Sequence, residues 1–132
     1  MRKLIPYIMF LIITVQNLSA QTDTLSMSYW VDRLGKAQSE TETMESCYKI
    51  AQLANNNDTI ILFSQKALRL AEKLGNKEIE TDSRILIGKV YVIQHNYDNG
   101  LEILNKALSL ATAGELPLLV AKAITSWETV ST

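Results

Sequence analysis

Gln65-Lys66-Ala67-Leu68-Arg69-Leu70-Ala71 returns forty residues later as Asn105-Lys106-Ala107-Leu108-Ser109-Leu110-Ala111. Five of the seven positions are identical, and a glycine follows each copy within four residues, Gly75 in the first and Gly114 in the second. An echo at this period marks stacked supersecondary units, each burying its apolar face on the next. Both copies set Ala and Leu three and four apart, the spacing of one helix face. The repeating unit is therefore expected to be a pair of helices.

Outward from the echo, the same spacing predicts helices over 25–37, 40–54, 59–74, 77–94 and 97–112, and a last one from Pro117 to the end. Gly35, Gly75 and Gly114 each follow a helical pattern, where a left-handed cap residue is wanted. Asn55-Asn56-Asn57-Asp58 reads as a turn whose last residue caps the next helix, and Asn76 as the cap of the helix after it. Pro117 suits a first helical turn, because its missing N–H would be unpaired there anyway. Short turns between helices mean antiparallel neighbours.

Ile87-Gly88-Lys89-Val90-Tyr91, then Asn96-Tyr97-Asp98, then Leu101, Leu104 and Ala107 resemble one tetratricopeptide (TPR) repeat. That family sets a small residue three before a tyrosine, then a small–aromatic–Ala series on the second helix. Ile87, as the large apolar residue, and Gly88, Tyr91, Tyr97 and Ala107 match; Gly100 stands where the family usually has Ala. Mid-helix glycine costs about 0.5–1 kcal/mol relative to Ala, so a close helix approach is expected at Gly100. The preceding repeat is more degenerate, keeping small residues at Ala51, Ala54 and Ala67. The third copy is a fragment with Ala121, Ala123 and Trp127, and with Glu128 and Ser131 in place of Gly88 and Tyr91.

The resemblance implies an all-α, right-handed solenoid of helical hairpins, about 2.5 repeats long. Its parts are a capping-helix region at 21–39, a degenerate repeat at 40–76, a TPR repeat at 77–113 and a partial repeat at 114–132. Packing between repeats falls to Ala51, Ala67, Gly88, Tyr91, Tyr97, Gly100, Leu104 and Ala107. The chain stops inside the first helix of a third hairpin. It is therefore expected to be part of a longer protein, or to pair through its open edge.

Residues 1–20 differ from the rest. Arg2 and Lys3 precede a nearly unbroken apolar stretch, Leu4 to Val15, and a more polar stretch ending at Ala20. That is the pattern of a secretory signal peptide. Twelve residues rise about 18 Å as a helix, short of the roughly 30 Å hydrocarbon core, so a membrane anchor is the weaker reading. Removal of the leader leaves 11 basic and 14 acidic residues. Such a chain has no electrostatic reason to seek nucleic acid or anionic lipid.

Signatures of chemistry are sparse. No glycine-rich phosphate loop or Gly-x-Ser-x-Gly is present, and no cofactor or metal is expected from one histidine and one cysteine. His95 reads as a solvated turn residue, and Cys47 as a small buried hydrophobe. Glu40 and Glu42, and Glu78, Glu80 and Asp82, read as wet faces or dipole-offsetting groups. Trp30 and Trp127 read as core or edge anchors. Asn57-Asp58-Thr59 matches an N-glycan acceptor but is more simply a turn.

Surface remains. In the TPR family the first helices of the hairpins line a concave groove that holds a peptide or helix. By position, that groove would comprise Gln52 and Asn55 from the earlier repeat, and Asp82, Ile85, Lys89, Val92 and Ile93 from the better one. The set is mixed, so no strongly charged ligand is indicated. The expected function is an exported protein- or peptide-binding module without catalysis, resembling the periplasmic sensory part of bacterial signalling proteins. Alternatives are a secreted adaptor that homodimerises through its C-terminal edge and, more remotely, a small hydrolase.

Overall fold

A computed structural model describes residues 26–128. The proposed leader at 1–20 lies outside them, as do the last four residues. Six helices follow one another: α1 (Met27–Gly35), α2 (Glu40–Leu53), α3 (Asn57–Leu74), α4 (Lys77–Ile93), α5 (Tyr97–Ala113) and α6 (Pro117–Glu128). No strand occurs among the described residues. The chain is all-α.

Local chemistry sets the helix starts. Ser26, Ser39, Asn56 and Asn76 precede α1 to α4, and each side-chain oxygen accepts from the backbone N–H three residues on, at 3.0–3.2 Å. Such caps contribute about 1 kcal/mol each. Asn56 is thus the cap of α3, not Asp58 as expected. The helix begins two residues earlier than the spacing predicted, and Asp58 sits in its first turn beside the positive end of the dipole. Asn57 is consequently helical, so the acceptor triplet at 57–59 lies in a helix and not in a loop.

The ends of α3, α4 and α5 share one geometry. Asn76 N–H donates to Ala71 O at 2.9 Å, Asn96 N–H to Tyr91 O at 2.8 Å, and Leu116 N–H to Ala111 O at 2.9 Å. These are the six-to-one bonds of a Schellman cap, which needs one left-handed residue just inside. The residues there are Gly75 (φ 73°), His95 (φ 62°) and Glu115 (φ 54°), twenty positions apart. Only Gly75 among the three expected glycine caps fills this role. Gly35 is the last residue of α1, and Gly114 has φ −84°. The bond closing onto Ala111 puts the left-handed position one residue beyond Gly114.

Each helix packs on the next in sequence. In addition α2 touches α4 and α4 touches α6, whereas α3 does not touch α5, nor α1 α3. Two layers result: α2, α4 and α6 lie together, and α1, α3 and α5 stand apart on the other side. A stack built this way curves towards the layer whose helices touch. Over 61–78 and 101–118 the succession of buried, half-buried and exposed residues is the same position for position. Ala67, Ala71, Ala107 and Ala111 are all fully buried. The structure is helical-repeat-like in that sense.

The core joins α4, α5 and α6 through Ile85, Val92, Leu104, Ala107, Ala111, Leu119 and Ala123, with Leu108, Leu116, Val120 and Trp127 packed against it. Helices α4 and α5 approach closely at two glycines. A Cβ on Gly88 would lie 2.7 Å from Leu104 Cγ, and one on Gly100 would lie 3.2 Å from the Gly88 carbonyl oxygen. Tyr91 is half-buried beside this crossing, but Tyr97 is 43% exposed and fills no gap there. At the first position of α5 its ring projects towards solvent.

Polar ties cross the layers. Lys73 pairs with Glu40 at 2.6 Å, joining α3 to α2. Arg84 pairs with Glu72 at 2.5 Å and approaches Glu80 at 3.6 Å, while Lys77 holds Glu80 at 3.0 Å. The exposed Lys73–Glu40 pair is worth about 0–1 kcal/mol. Glu80 and Asp82 are buried, contrary to the wet-face expectation. Asp82 has partners on α2 and α6, and Glu80 has Lys77 and Arg84 on its own helix, which makes that burial tolerable.

Candidate functional site

The layer formed by α2, α4 and α6 carries a polar centre. The Asp82 carboxylate, on α4, is 4% exposed. It accepts from the Tyr48 hydroxyl and from Gln52 Nε2 at 3.4 Å, both on α2, and from Lys122 Nζ at 3.4 Å on α6. Gln52 Nε2 also donates to Tyr48 Oη at 2.7 Å. Burial, and then the hydrogen bond to Asp82, push the Tyr48 phenol well above its ordinary value. Tyr48 therefore stays protonated and donates. One carboxylate thus joins all three helices of the layer.

Two hollows flank this centre along the α4–α6 seam. The larger, about 430 Å³, is lined by Lys89, Val92 and Ile93 of α4, His95 and Tyr97 at the turn, and Thr125 and Ser126 of α6. Lys89 is exposed and Ile93 is 63% exposed. His95 Nδ1 and the Tyr97 hydroxyl share a hydrogen bond of 2.7 Å. The smaller, about 180 Å³, is lined by Tyr48, Glu78, Asp82, Lys122 and the stretch 116–119. A third hollow, about 490 Å³, lies between α5 and α6, where Ala111, Leu116, Pro117 and Val120 make it mainly apolar. A fourth holds Trp30 beside Glu45, Lys49 and Ile79.

Lys89, Val92 and Ile93 line the larger hollow together. Gln52 and Asp82 meet in the polar centre. Ile85 does not join them: it is 1% exposed and belongs to the core. Val92 is 8% exposed, a floor for the hollow more than a contact surface. Asn55 is exposed in the α2–α3 turn and lines neither seam hollow.

Tyr48, Lys122, His95 and Thr125 were not among the expected groove residues. Lys122 had a signal, since it lies forty residues after Asp82, at the same place in the next unit with the opposite charge. Tyr48 had none, because its hydroxyl reaches Asp82 across thirty-four positions.

Among the described residues, no group of three or more His, Cys, Asp or Glu is placed to hold a metal ion. No described helix is long and apolar enough to cross a membrane. Cys47 is 1% exposed, and burial raises its pKa, with Lys66 acting weakly the other way. No protein-family model, curated protein or solved structure matches the chain. Its own geometry defines the class: an all-α protein with the character of a helical repeat.

Proposed function

We propose that this chain is an exported, TPR-like solenoid that binds a peptide or a protein along the face made by α2, α4 and α6. The observation that carries the reading is the asymmetry between layers: α4 touches both α2 and α6, while α3 and α5 do not touch. A curved stack presents its inner helices as a continuous concave surface. Gln52, Lys89 and Ile93 are exposed on that side, beside hollows of a size that accepts side chains. The equal burial at 61–78 and 101–118, and the cap repeated every twenty residues, support the repeat. Export rests on the leader pattern at 1–20, and a sensory role on the family resemblance alone. No catalytic step belongs to this reading, because the buried carboxylates are engaged with neighbouring side chains.

A photo-crosslinking residue placed at Ile93, and separately at Leu62, tests it. Both sites are exposed, Leu62 on α3 in the other layer. The reading requires one defined partner captured from Ile93 and not from Leu62. Equal capture at both, or capture only at Leu62, would remove it.

A further inference from the structure

We propose that the larger hollow on the α4–α6 seam receives a carboxylate, carried by an acidic side chain of the bound segment beside an apolar one. The proposal rests on the inner face being the binding face and names the chemistry it selects. Its volume of about 430 Å³ lies within the range of small-ligand sites, about 300–1,000 Å³.

The polar lining is one-sided. Lys89 is exposed and has no ion-pair partner among the described residues. His95 and Tyr97 share one hydrogen bond through Nδ1. If the phenol donates, Nε2–H is left over; if Nδ1–H donates, the phenol hydrogen is left over. Either way the pair retains one donor for a ligand. The Thr125 hydroxyl donates to Ala121 O at 2.6 Å and that of Ser126 to Lys122 O at 2.8 Å, so neither hydrogen is offered to the hollow. No carboxylate lines it.

The backbone is neutral in this choice. The negative end of α4 and the positive end of α5 meet at the same turn and offset each other. The side chains decide, and they supply one cation and one further donor. Exposed Ile93, beside the floor made by Val92, provides the adjacent apolar contact. The smaller hollow on the same seam has the opposite balance, Glu78 and Asp82 against Lys122. An acidic group therefore has one favourable end of the seam and one unfavourable end.

The test is titration of the full chain with N-acetyl-Ile-Glu-amide, with its uncharged isostere N-acetyl-Ile-Gln-amide, and with inorganic phosphate, followed by amide NMR shifts. The expected result is binding of the Glu peptide about tenfold tighter than the Gln peptide. Its shifts should centre on His95, Tyr97 and Thr125. Lys89→Gln should abolish most of that preference, and Lys66→Gln, on α3, should leave it intact. Equal affinity for the two peptides, no binding of either, or a preference that survives Lys89→Gln overturns the proposal. So does phosphate binding there in place of the Glu peptide. Loss of the preference with Ile93 crosslinking retained removes this inference alone. Loss of the preference together with failure of the Ile93 crosslinking removes the peptide-binding reading as well.

Discussion

Lys122 Nζ lies 3.4 Å from Asp82 Oδ2, across the seam between α6 and α4. The two residues are forty positions apart, the spacing of the sequence echo. Positions forty apart on α4 and α6 thus carry opposite charges that meet. The same carboxylate takes the Tyr48 hydroxyl from α2, so three helices of one layer share one acceptor.

Removing a donor leaves the buried carboxylate short of one hydrogen bond. Tyr48→Phe should destabilise the fold by about 1.5–3 kcal/mol, the range for a hydrogen bond to a charged group. Lys122 is 39% exposed, so Lys122→Gln should cost less, about 1 kcal/mol or under. Urea unfolding followed by circular dichroism measures both. Equal losses would mean that the carboxylate is less enclosed than its 4% exposure indicates.

The raised Tyr48 phenol has a definite consequence at high pH. Its folded value lies above the ordinary unfolded value of about 10. The unfolded chain then loses the proton first, so stability is fully present below that pH and falls as pH rises above it. Tyr48→Phe should remove this part of the alkaline loss, and the two proteins should converge in stability at high pH. A constant gap between them from neutral to alkaline pH would contradict the assignment.

The crossing of α4 and α5 leaves no room for a methyl group at Gly88. Gly88→Ala gains about 0.5–1 kcal/mol of helix propensity, but its Cβ meets Leu104 at 2.7 Å. Leu104 is fully buried and cannot retreat. Overpacking of this kind costs about 1–3 kcal/mol, so a net loss is expected in thermal unfolding. A net gain would mean that the helices are further apart than described.

Much of this architecture was legible in the sequence, and the limits are physical. The echo and its spacing gave helical pairs at a forty-residue period, because small residues at Ala67 and Ala107 are local facts of composition. The close approach at Gly100 was legible for the same reason. Asp82 was misread as a wet-face residue because its partners, Tyr48 and Lys122, are thirty-four and forty positions away. Ile85 was placed in the groove because one helix can bury more than one face. Nothing local says that α6 covers it. The cap positions failed at Gly35 and Gly114 because a glycine marks a region, while the six-to-one bond selects one residue.

The three left-handed positions give a pair of opposite predictions. Gly75→Ala places a Cβ at φ 73° and should cost about 1 kcal/mol. Glu115→Gly relieves φ 54° at the equivalent position and should stabilise by about 0.5–1 kcal/mol. Chemical denaturation of the two variants checks the signs. Matching signs would show that the turns are not equivalent.

The most direct test of the layered account is a pair of spin-label distances in the full chain, with Cys47→Ala to remove the native thiol. One pair is Lys49→Cys with Lys89→Cys, forty positions apart on α2 and α4; the other is Leu62→Cys with Glu102→Cys, forty apart on α3 and α5. All four sites are exposed. The account predicts a shorter distance for the first pair than for the second, because α2 touches α4 while α3 stands off from α5. Equal distances, or the reverse order, would contradict it.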